Sequence, residues 1–219
     1  KFMKYFLFII LINMVLCNET LAYKLKYNNI IAGRAVLNES TLNNDSTDFK
    51  EISLSVKSNK FVDIFYKLRT KVSMIVDSKE YFIYDLKRDM KEGNKTEKSY
   101  STINYHEKII LYNQEEIKFH GEKVYSILSL IYFLKNQPLK SNDQYLINIY
   151  DREKIKPVIV RVEEKSQEEL DSYFIISVKT QKDNKDQMLL IVENINNKQA
   201  LTRIELNTKN GIMELLLDE

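Results

Sequence analysis

Few side chains in this sequence could start a reaction. His106 and His120 are the only histidines, and Ser126 and Ser129 are the serines nearest a strongly apolar segment. A serine nucleophile needs a base and a sharp turn that exposes its oxygen, which in hydrolases takes the form Gly-x-Ser-x-Gly. Neither serine has such glycines, so Ser126 reads as a helix cap and Ser129 as a packing residue. The two histidines stand far apart among charged residues, and a metal site would need them to converge with carboxylates. They read as surface or turn histidines.

The carboxylates point the same way. Glu163-Glu164-Lys165-Ser166-Gln167-Glu168-Glu169 lacks the glycine and alternating Asp/Asn of a calcium loop, so it reads as a solvated hairpin tip. Asp85-Leu86-Lys87-Arg88-Asp89 and Lys182-Asp183-Asn184-Lys185-Asp186 mix both signs and read as exposed edges or turns. Only four glycines are present, and no phosphate-cradling glycine loop is among them. The expected protein has no catalytic residue, no metal and no cofactor.

The first residues carry an address. Lys1 and Lys4 flank Met3, and an apolar run follows from Tyr5 to Cys17, interrupted by Asn13. A helix needs about 20 apolar residues to span a bilayer, and this run is shorter. With Thr20-Leu21-Ala22 as a cleavage site, residues 1–22 read as a secretory signal peptide and residues 23–219 as a single exported, periplasmic domain without a transmembrane span. Lipid anchoring through Cys17 is disfavoured, because Leu16 is bulky where that processing requires a small residue.

Composition narrows the partners. The net charge of +2 falls by one when Lys1, Lys4 and Glu19 are removed, and a near-neutral chain lacks the basic surface that nucleic-acid binding requires. Without Cys17 the domain would hold no cysteine, so its own core must stabilise it.

The elements are mostly strands. Tyr23, Leu25 and Tyr27 alternate with Lys24 and Lys26, and period-two alternation recurs at 51–57, 71–76, 147–150, 157–163, 174–179, 201–206 and 212–217. Asn210-Gly211 supplies a hairpin turn between the last two. The polar stretch Asn38–Thr47 reads as a long loop. The expected fold is all-β and mainly antiparallel, a partly open barrel or sandwich. One segment departs from it. Val124–Lys135 is apolar nearly all round, with Ser126 placed to cap, Lys135 at the C-terminal end and Pro138 beyond. It predicts a buried or lid-like helix near 125–135. A second short helix is expected over Lys60–Lys67, with Phe61, Ile64, Phe65 and Leu68 on its apolar side.

These features together resemble an exported bacterial family known as domain of unknown function 3108. The resemblance rests on Leu21-x-Tyr23-x-Leu25-x-Tyr27, Ile31-Ala32-Gly33-Arg34-Ala35, Glu92-Gly93 and Leu128-Ser129-x-x-Tyr132-x-Leu134-Lys135, with the strand pair around Gly211. Ser126 and Lys135 stand where that family has Asp and Arg, Ala200 where it has Pro, and its late Trp is missing. The resemblance implies an antiparallel β architecture in the cell envelope and no established activity. Fourteen tyrosines and ten phenylalanines suit packing. They also suit an apolar cavity under the helix, lined by Leu128, Ile131 and Tyr132, for a lipid or other apolar small molecule. The alternative is a structural or adaptor protein that binds another envelope protein and has no cavity.

Overall fold

The structure, a computed structural model, describes residues 19–44, 47–167, 170–180, 188–195, 198–208 and 211–218. The apolar run Tyr5–Cys17 lies outside the described residues. Fourteen strands among the described residues form one antiparallel sheet. The N-terminal meander contains β1 (Glu19–Tyr27), β2 (Ile30–Asn44), β3 (Thr47–Ser58), β4 (Leu68–Asp77), β5 (Ile83–Glu92), β6 (Lys95–Asn104), β7 (Ile109–Tyr112) and β8 (Glu115–Lys118). The C-terminal meander contains β9 (Gln144–Asp151), β10 (Lys154–Gln167), β11 (Leu170–Thr180), β12 (Met188–Ile195), β13 (Lys198–Thr208) and β14 (Gly211–Leu217). The expected cleavage after Ala22 falls inside β1.

The strand order runs β8 to β1, then β14 to β9. The first and last strands therefore meet in the middle of the sheet, Leu25 opposite Leu215. The two edges, β8 and β9, are consecutive in sequence, and the chain between them spans the gap of a sheet that is not closed. That segment carries α2 (Ile127–Lys135). Just before it, Val124 and Tyr125 are extended and not helical. The Val124 carbonyl accepts from the Ile83 amide on β5 at 3.0 Å. Tyr125 exchanges bonds with β9, donating to Asn148 and accepting from Tyr150 at 2.9 and 2.7 Å. Two residues thus strap the sheet across its gap. Side chains reinforce the strap: Arg88 pairs with Asp151 at 2.8 Å, and the Ser101 and Tyr150 hydroxyls lie 2.9 Å apart.

Helix α2 begins as its sequence suggests. Ser126 Oγ accepts from the Ser129 amide, and Ser129 Oγ accepts from the Ser126 amide, each at 3.0 Å, a reciprocal cap. Leu128, Leu130, Ile131, Tyr132 and Leu134 are buried against the inward faces of the strands.

Two expectations need correction. Asn38–Asn44 is strand, paired residue for residue with β3 from Ser53 to Thr47. Polar side chains suggested a loop there, but the hairpin satisfies the backbone, and Glu39 within it is buried and paired with Lys50. The Lys60–Lys67 helix is only one turn, α1 (Lys60–Asp63), and Phe61, Ile64 and Phe65 face outward.

Glycine matters most at Gly33 on β2. A β-carbon there would lie 2.2 Å from the Lys57 carbonyl oxygen and 2.8 Å from the Ser58 Cα, both backbone atoms. Gly33→Ala must push β2 and β3 apart, at a cost of about 1–3 kcal/mol. Urea denaturation should show a lowered midpoint, and an unchanged midpoint would mean that the two strands do not approach so closely.

Candidate functional site

The barrel interior is divided by α2. Towards the end where β1 turns into β2 and β4 begins, the strands leave an apolar cavity of about 230 Å³. Its walls come from Leu37 (β2), Leu54 (β3), Val72 and Met74 (β4), Leu86 and Met90 (β5), and Ile204, Leu206 and Leu215 (β13 and β14). Ile127, Leu128 and Ile131 of α2 close it from the inside. These strand residues share one face because they recur at every second position and sit opposite one another, as Leu37–Leu54–Val72 and Met74–Leu86 do. Arg88, Asp151 and Arg152 stand at its rim, so a greasy interior ends in a charged mouth. The Arg88 side chain keeps only 13% of its exposure, and its charge is balanced by Asp151.

Leu128 and Ile131, expected at a cavity, both line this one. Tyr132 does not. Tyr132 shares a helical face with Leu128 but stands four residues, about 6 Å, further along the axis, at the opposite, closed end. There it stacks on Tyr81 with ring centroids 6.2 Å apart, under the Lys135 ammonium at 5.7 Å. Lys135 is ion-paired with Glu19 at the start of β1. Tyr81 donates to Glu39 at 3.0 Å and accepts from Lys50 at 2.6 Å, and Lys50 also pairs with Glu39 at 2.5 Å.

Titration at this closed end follows from burial and pairing. Burial pushes the Tyr81 phenol up to about 12, with Lys50 opposing. Burial would lower the Lys50 ammonium, but its bonds to Glu39 and Tyr81 outweigh that and raise it. A raised lysine stabilises the fold below its ordinary range and loses that contribution only as pH climbs through its folded value, so Lys50 contributes fully at neutrality. Burial also raises Tyr132, with Glu19 and Glu39 adding to it. The Tyr132 hydroxyl has no hydrogen-bond partner. The arrangement is a polar buttress and has the geometry of a plug.

The histidines do not meet. Both are exposed: His106 lies in the β6–β7 turn, and the His120 carbonyl accepts from Asn148. Among the described residues no three His, Cys, Asp or Glu side chains gather as metal ligands. No helix of the described residues is long and apolar enough to cross a membrane. Sequence reasoning missed Arg88, read as an exposed edge. The signal was present: Leu86, Arg88 and Met90 alternate with Lys87 and Asp89, and the inward face of β5 is the former set.

Comparison with known proteins agrees with this architecture. The family described as "Protein of unknown function (DUF3108)" matches residues 22–218. A crystal structure described as a β-barrel-like protein of domain of unknown function DUF1849 from Brucella abortus superposes with a TM-score of 0.56 at 10% identity. The superposition covers 91% of this chain and 95% of that one. At that identity the likeness is one of fold. No curated protein matches the sequence.

Two substitutions separate cap from plug. Ser126→Ala removes half of the reciprocal cap and should cost about 1 kcal/mol in thermal or chemical unfolding. Tyr132→Phe deletes a buried hydroxyl with no partner and should be neutral or stabilising. A loss above about 1 kcal/mol in the second would show that the hydroxyl is bonded in solution.

Proposed function

The chain belongs to the DUF3108 family, and on that premise we propose that it is a non-enzymatic, exported envelope protein that holds an apolar ligand, such as a single-chain lipid, in the cavity beneath α2. The cavity itself carries the reading. Its volume of about 230 Å³ exceeds the ~150 Å³ apolar cavity that takes up benzene, and apolar walls left open to water are costly. An acyl chain lying along Leu54, Val72 and Leu206 would cover those walls. Its polar end would reach Arg152 and the Arg88–Asp151 pair at the rim. The signal-like residues at the start of the sequence support delivery across a membrane to the periplasm.

An adaptor role is the second reading. The exposed apolar residues around α1 favour it, since such patches commonly mark contact sites.

Native mass spectrometry of the exported protein, with solvent extraction of what it carries, tests the carrier. A discrete extra mass that extracts as lipid is expected, and Ile131→Trp, which fills the cavity from α2, should abolish it while the circular dichroism spectrum persists. A bare protein mass that stays bare when lipids are offered would transfer the reading to the adaptor.

A further inference from the structure

Five cations stand side by side across five adjacent strands. Lys24 of β1 lies opposite Arg34 of β2, Arg34 opposite Lys57 of β3, Lys57 opposite Arg69 of β4, and Arg69 opposite Lys91 of β5. With strands about 4.8 Å apart, the row is about 19 Å long. It lies on the outer face, since Tyr23 and Leu25 on either side of Lys24 are buried inward. Like charges directly opposite one another weaken a sheet, so this ladder works against the fold. Asp218 answers Lys24 and Arg34 at 2.8 Å each, and Asp63 answers Arg69. Lys57 and Lys91 are exposed and have no carboxylate partner among the described residues.

Beyond this row, at the end where the cavity opens, the chain turns and displays apolar side chains. Phe61, Ile64 and Phe65 are 68%, 74% and 78% exposed, and Tyr66, Ile30 and Ile31 are exposed with them. They form one tip. Asn59 links α1 to the start of β2, its side-chain amide donating to the Ile31 carbonyl and its backbone amide to the Ala32 carbonyl, both at 2.8 Å. The Asp63–Arg69 pair and the Ser58 hydroxyl anchor α1 from below. The Phe61 and Phe65 rings meet edge to face at 5.9 Å. Lys60 and Lys67 flank the tip, while Glu92 is the nearby acid at the β5–β6 turn. Thr70 and Met90, two residues in from Leu68 and Glu92, are already cavity wall.

We propose that this end of the barrel docks on an anionic lipid surface. Phe61, Ile64 and Phe65 enter the boundary between headgroups and acyl chains, and the Lys24–Lys91 row lies against the headgroups, setting the cavity mouth on the bilayer. A turn crowned by apolar side chains and collared by unpaired lysines suits a soft, negative surface. A protein partner would have to bring a matching pocket and acids. That lipid then passes between bilayer and cavity rests on the carrier reading, while the docking does not.

The chain contains no tryptophan, so Phe65→Trp in the full chain places one reporter at the tip, where the N-terminal apolar run cannot imitate its signal. With phosphatidylglycerol–phosphatidylethanolamine vesicles, its emission should shift to the blue and be quenched by brominated acyl chains. Added Lys57→Glu and Lys91→Glu should weaken partitioning at least about tenfold, and phosphatidylcholine vesicles should leave the emission nearly unchanged. Phe61→Trp provides a second reporter should the first variant misfold. Water-like, unquenched emission on every vesicle would overturn the proposal. So would a blue shift that grows with protein concentration without vesicles, which would make the tip a self-association surface. Docking by a protein with no extractable lipid would remove the carrier and leave the docking intact, and lipid cargo without docking would do the reverse.

Discussion

A meandering sheet must do something with its two edges, and here everything else depends on how that is done. Unpaired edge strands invite association with other chains. In this protein the Val124–Tyr125 strap bonds to Ile83 on one side and to β9 on the other. That places α2, which follows directly, inside the curl. Ser126 then has to be both the end of an extended segment and the start of a helix, and its reciprocal cap with Ser129 meets both needs.

The cavity is a consequence of that placement. A nine-residue helix is about 13 Å long, too short to fill a barrel whose longer strands, such as β2 and β3, run to 15 and 12 residues. Its C-terminal turn is packed tightly into the closed end by Tyr81, Tyr132 and the Lys135–Glu19 pair. Its N-terminal turn presents only Ile127, Leu128 and Ile131 to the space left over. The open half and the solid half of the interior belong to the same element.

Much of this was legible in the residues. Alternation revealed strands wherever an aliphatic face opposed a lysine face, as in Tyr23-Lys24-Leu25. The helix declared itself by an apolar run with a serine at its head and a proline beyond. The rest was hidden for physical reasons. On β5 the inward set includes Arg88, whose charge reads as surface until Asp151 is seen across the gap. Asn38–Asn44 reads as loop because composition reports on side chains, whereas hairpin pairing belongs to the backbone. Leu128, Ile131 and Tyr132 share one helical face by their spacing, but spacing does not report depth along the barrel, and the partner of Tyr132, Tyr81, comes from a distant turn.

The meeting of β1 and β14 in the middle of the sheet governs how the molecule can be made. Leu25 and Leu215 are opposite one another yet separated by nearly the whole of both meanders. Contacts so distant in sequence form slowly, because the loop must close before anything repays its entropy. Each meander can zip from its own hairpins as it emerges, but the N-terminal one holds β1 as an open edge until the last strand has been synthesised. The sheet is therefore complete only once β14 has been made, and without that strand it would be left as two half-sheets with sticky margins.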